Sequence, residues 1–95
     1  MRLTEFEISA IKQSVQMVFG VGAEVFVFGS RVDDAKKGGD IDLYIKPQIG
    51  NDLAHKIKFQ ILLEQKIGEQ KIDVVLAADK NRLIEQQAIN SGVKL

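Results

Sequence analysis

Between Asp40 and Ile45 polar and apolar residues alternate without a break, in the order Asp40-Ile41-Asp42-Leu43-Tyr44-Ile45. A period of two is the pattern of a half-buried β-strand, and no helix can sort these side chains into two faces. One face carries Asp40, Asp42 and Tyr44, and the other Ile41, Leu43 and Ile45. At a rise of ~3.3 Å per residue the two acids stand roughly 6.6 Å apart at Cα, so both carboxylates can lean toward one point. Like charges so placed disfavour a strand. The arrangement calls for a compensating cation, and hard cations such as Mg²⁺ take oxygen ligands.

Upstream, Ala23 to Phe28 is a short, almost wholly apolar run, as expected in a sheet interior, and it stops at Gly29-Ser30. Taken alone, Gly29-Ser30 is also ordinary turn punctuation. The stretch Asp33-Asp34-Ala35-Lys36-Lys37-Gly38-Gly39 reads as a solvated loop, with its acids left outside any site. The alternating strand ends at Pro47, which cannot donate to a ladder. A third strand is expected over Lys71 to Leu76. Ile72, Val74 and Leu76 share one of its faces, Asp73 and Val75 the other. A buried unpaired carboxylate is costly, so Asp73 belongs at the rim of the sheet or beside a cation.

Helices fill the intervals. Leu3 to Phe19 carries a capping box, Thr4 with Glu7 three residues on, and a core face of Ile8, Ile11, Val15, Val18 and Phe19. Gly20 or Gly22 ends it. Asp52 to Ile67 is the second helix, capped by Asn51 or Asp52 and stopped by Gly68. Its apolar residues fall on two sides at about 100° per residue: Leu53, Ile57 and Ile61 on one, Phe59, Leu62 and Leu63 on the other. A helix apolar on two sides is buried on two sides. Phe59, Leu62 and Leu63 are therefore expected to form a contact surface for another chain, in a homodimer or hetero-oligomer; a wide stripe wrapped by the C-terminal segment is the alternative. His55, the single histidine, reads as a solvated helix residue. Asp79 or Asn81 caps a last short helix with Leu83, Ile84 and Ala88 inward, ended at Asn90-Ser91-Gly92. The fold class is thus α/β (α+β), a small mixed sheet of three to four strands packed with helices, in a single domain over residues 1–95.

The chain-wide quantities exclude several functions. A chain of 95 residues buries roughly 60–68% of its unfolded surface, enough for one core. Thirteen Lys and Arg balance thirteen Asp and Glu. A net charge of zero argues against direct nucleic-acid binding, which draws on a basic excess. No apolar run approaches a membrane span of ~20 residues, and Met1 to Ile8 lacks a signal-peptide core. Without cysteine there are no disulfides or thiolate metal sites. A cytoplasmic location is expected.

Combined, the pieces make a specific constellation: Phe28-Gly29-Ser30, ten residues from Ser30 to Asp40, Gly39-Asp40-Ile41-Asp42-Leu43, and a third acid on a later strand. This resembles the nucleotidyltransferase superfamily related to DNA polymerase beta, whose pattern is Gly-Ser, a gap of about ten, then Asp-hydrophobic-Asp. The resemblance covers nearly the entire chain, and the size is that of the minimal nucleotidyltransferases. It implies a palm-like nucleotidyltransferase fold, two Mg²⁺ ions held by Asp40, Asp42 and Asp73, and ATP as substrate. It implies that Gly29, Ser30 and Arg31 bind the triphosphate, and that Asp73 helps deprotonate the attacking hydroxyl. It also implies a HEPN-domain toxin as partner, an RNase neutralised by transfer of AMP onto it. Steric blocking without catalysis, and transfer to a small molecule, are the competing functions. The subgroup often follows Gly-Ser-Arg with Ala-Arg-Gly, whereas here Val32-Asp33-Asp34 follows, which leaves Lys36 or Lys37 as the second cation near the phosphates.

Overall fold

The computed structural model describes residues 3–28, 41–77 and 92–95. Helix α1 spans Glu5–Phe19 and starts from Thr4, as its sequence requires. The Glu7 N–H donates to Thr4 Oγ1 at 3.0 Å, and the Thr4 N–H donates to Glu7 Oε1 at 2.9 Å. Two backbone donors that the first turn leaves unpaired are thereby satisfied. Thr4→Ala is expected to lower stability by about 1 kcal/mol, read from thermal melts. At the other end Gly20 adopts φ +99°, and a Cβ there would meet Gln48 Oε1 at 2.5 Å. That same oxygen accepts from the Gly22 N–H at 2.8 Å, while the Phe19 carbonyl accepts from the N–H groups of Gln48 and Ile49, both at 2.9 Å. The helix stop is therefore locked to the segment that leaves the second strand.

Strand β1 (Glu24–Phe28) pairs antiparallel with β2 (Ile41–Lys46). Helix α2 (Leu53–Ile67) then carries the chain to β3 (Ile72–Leu76), which pairs parallel to β2. A parallel neighbour needs such a crossover. A two-residue strand, β4 (Val93–Lys94), joins the far side of β1 antiparallel, giving a sheet in the order β3-β2-β1-β4. Among the described residues two helices and a mixed four-stranded sheet make the α+β architecture expected. β4 is too short to show any alternation, and the sequence placed only a chain stop there. The last helix expected after Asp79 or Asn81 lies outside the described residues.

Both helices cover one face of the sheet. Ile11, Val15, Val18 and Phe19 of α1 and Phe59 and Leu63 of α2 are buried against Val25, Val27, Ile41, Leu43, Ile45, Ile72 and Val74. The Phe19 and Phe59 rings meet at 5.6 Å between centroids, a tilted contact at 48°. Asp52 caps α2: its Oδ1 accepts from the His55 N–H at 2.8 Å and lies 2.8 Å from His55 Nδ1. The hydrogen bond from that backbone N–H, and then the one from the ring, hold the Asp52 carboxyl below the ordinary carboxylate range.

The two apolar sides of α2 are disposed opposite to expectation. Phe59 and Leu63 are 0% exposed and Leu62 is partly buried against the core, so Phe59, Leu62 and Leu63 do not form an outer contact surface. Leu53, Ile57 and Ile61 face outward, at 67%, 46% and 53% exposure. The sheet claimed the face with the aromatic ring and left the aliphatic stripe outside. Among the described residues no helix is long and apolar enough to cross a membrane.

Candidate active site

The face of the sheet turned away from the helices carries the described candidate acids. In β2 the core takes Ile41, Leu43 and Ile45, which turns Asp42, Tyr44 and Lys46 to the other side. Register then decides what they meet. Asp42 lies opposite Phe28 of β1 and opposite Asp73 of β3. Residues opposite one another on neighbouring strands share a face, so Asp42 and Asp73 form a pair across strands ~4.8 Å apart. The parallel crossover through α2 thus sets together two carboxylates that are thirty-one positions apart in the chain.

Asp42 is half-buried and Asp73 exposed. Asp73 lies on β3, at the edge of the described sheet, so its charge stays in solvent and pays no burial penalty. This is the rim position foreseen for it. The pair sits where β1 ends and where β2 and β3 begin, since Phe28 is the last residue of its strand and Asp42 and Asp73 are each second in theirs. Gly29, Ser30 and Arg31 follow Phe28 in the chain, and Asp40 precedes Ile41. These four lie outside the described residues, as do Asp33, Asp34, Lys36 and Lys37.

The donor chemistry fits a hard divalent cation: two carboxylates on one face offer oxygen ligands to a common point. Among the described residues no group of three or more His, Cys, Asp or Glu comes together as a metal cluster. The described chain contributes the pair Asp42 and Asp73. Further along the same face, Tyr44 is buried with its ring 6.0 Å from that of Phe26, and Lys46 Nζ stands 5.6 Å above the Phe26 ring. Lys94 Nζ bonds Glu24 Oε2 at 2.7 Å, and that bond and charge hold the Glu24 carboxyl below its ordinary range. These contacts tie β4, β1 and β2 together toward the other end of the strands.

One polar contact next to the pair had no sequence signal. Gln60, an unremarked polar residue of α2, donates from Nε2 to the Ile72 carbonyl at 3.0 Å, immediately before Asp73. On the opposite side of the molecule an open apolar groove of about 470 Å³ runs between α1 and α2, lined by Met17, Ala54, Ile57, Lys58 and Ile61 among others.

The family model described as Polymerase beta, Nucleotidyltransferase matches residues 9–95. The match takes in both carboxylates, the Gly29-Ser30-Arg31 stretch of the sequence and the four strands of the described residues. No curated protein matches the chain.

Proposed function

The chain belongs to the polymerase beta nucleotidyltransferase family, and on that premise we propose that it moves AMP from ATP onto a hydroxyl of a partner protein, an RNase toxin of the HEPN type that the modification silences. The observation that carries the catalytic part of this reading is the register that sets Asp42 opposite Asp73.

In the proposed reaction the acceptor hydroxyl oxygen forms a bond to the α-phosphorus while the bond to the bridging oxygen breaks and pyrophosphate leaves. Asp42 and Asp73, with Asp40, would hold two Mg²⁺ ions, which would supply neutralisation of the charge on the entering and leaving oxygens. Asp73, the more exposed of the pair, takes the role of orienting the incoming hydroxyl and accepting its proton. Gly29 lets backbone approach the β- and γ-phosphates, where the Ser30 hydroxyl and the Arg31 guanidinium bind oxygens.

The exposed stripe of Leu53, Ile57 and Ile61, rather than Phe59, Leu62 and Leu63, is the surface we assign to that partner. It lies on the helix layer, and the carboxylates lie on the far face of the sheet. A protein docked on the helices therefore presents its hydroxyl on a segment that reaches round to that face. The same separation favours a second reading, a module that blocks its partner by contact alone.

The test uses ATP labelled at the α-phosphate, with Mg²⁺, in extract of the protein's own cells. Label on one discrete protein band is the expected result, and its loss when Ile57 and Ile61 are both replaced by Ser ties it to the stripe. Label on a small molecule would redirect the assignment to that acceptor. No label, while a partner still co-purifies with the Asp42→Asn chain, would leave the contact-only module.

A further inference from the structure

Among the described residues β3 is an edge strand, held in the sheet by a single ladder to β2. The Ile41 N–H donates to the Lys71 carbonyl at 3.0 Å, and the Ala77 N–H donates to the Ile45 carbonyl at 2.8 Å. Successive residues of a strand direct their backbone groups to opposite sides. Lys71, Asp73, Val75 and Ala77 accordingly bond toward β2, and Ile72 and Val74 present their carbonyls outward. An outward carbonyl on an edge is ordinarily left to water or to a covering element.

At Ile72 the covering element is α2. Gln60 Nε2 donates to that carbonyl at 3.0 Å in a partly buried bond. Its neighbour Phe59 is fully buried against Phe19, which fixes the rotation of the helix and hence the reach of Gln60. The Ile72 carbonyl belongs to the planar peptide that ends at the Cα of Asp73. Holding the oxygen from outside, while the ladder holds the other side, leaves that peptide no freedom to tilt.

We propose that Gln60 is a positioning residue for Asp73: its hydrogen bond to the Ile72 carbonyl fixes the first turn of the edge strand so that the Asp73 carboxylate stays level with Asp42. The proposal rests on the reading of that pair as the metal-binding carboxylates. Gln60 touches neither substrate nor ion, and acts through the backbone. Partners at this remove change metal affinity or activity by about 10–100-fold when lost.

Two variants test it. Gln60→Ala removes the side chain, and Gln60→Glu keeps its size while replacing the donor by a carboxylate. The first readout is Mn²⁺ binding to the intact chain in the presence of a non-hydrolysable ATP analogue, followed by electron paramagnetic resonance. The second is the exchange rate of the Asp73 amide hydrogen, and the third the Mg²⁺ concentration giving half-maximal transfer. Both variants are expected to weaken Mn²⁺ binding about tenfold or more, to speed exchange at Asp73, and to raise the Mg²⁺ requirement, with KM for ATP little changed. Gln13→Ala, at an exposed position of α1, is the control and moves none of these. A lowered melting temperature with unaltered Mn²⁺ binding and Mg²⁺ requirement would assign Gln60 a purely structural role and overturn the proposal. Absence of Mn²⁺ binding and of transfer in the unmodified chain would instead overturn the metal-site reading, and the role of Gln60 with it.

Discussion

Asp42→Asn is expected to slow nucleotidyl transfer about a thousandfold while leaving the fold intact. Asparagine keeps the shape of the side chain and removes its charge. Asp42 occupies the middle of the constellation, facing Phe28 at the end of one strand and Asp73 across the other. A neutral residue there binds a divalent cation weakly, and the charge stabilisation supplied by such ions is worth several kcal/mol at the reacting phosphate. A loss of about 4 kcal/mol corresponds to that thousandfold. Single-turnover transfer at saturating ATP and Mg²⁺, beside a circular-dichroism melt, separates chemistry from folding. A variant within tenfold of the parent rate would remove Asp42 from the catalytic centre. The same register makes a prediction about stability in the absence of metal. Asp73→Asn relieves repulsion across the ladder and should stabilise the metal-free chain by about 0.2–1 kcal/mol, while abolishing stabilisation by Mg²⁺.

Phe59→Ala is expected to cost about 3–5 kcal/mol, much of the roughly 5–14 kcal/mol that a chain of this length possesses. Phe59 is completely buried, stacked at a tilt on Phe19 and set over the sheet, and removing its ring leaves a hole between both helices. Ile57→Ala, two residues earlier on the same helix, should change stability by no more than about 0.5 kcal/mol because its side chain is 46% exposed. Urea unfolding of the two variants decides which apolar side of α2 is core. Equal losses would mean that the exposed stripe is covered in the folded protein by something else.

Local rules alone make several elements legible in the sequence. The Thr4 and Glu7 box, the alternation from Ile41 to Ile45, the stop at Pro47 and the caps Asp52 and Gly68 all follow from bonds within a few residues. The faces of α2 did not, because both stripes are equally apolar and only the sheet decides between them. The register of Asp73 against Asp42 is likewise set over a long range. Alternation placed both acids on outward faces, but it could not tell that the strands are parallel neighbours, aligned without offset. Gln60 was invisible for the same reason. A glutamine in a helix acquires meaning only when an edge carbonyl is found opposite it.

β4 has a consequence for how this protein keeps to itself. With only Val93 and Lys94 in the strand, and the Leu95 N–H donating to Val25 at 3.0 Å, it masks the outer margin of Val25-Phe26-Val27-Phe28. That run has the makings of an aggregation-prone stretch: uncharged, β-branched or aromatic throughout, and free of proline. Uncovered, it would be a template for the same run in a second molecule. Lys94 also sets a positive charge at the margin, paired with Glu24. The two-residue strand thus acts as a guard on solubility, and a chain cut back to Gly92 would tend toward fibrils or precipitate before it lost its core.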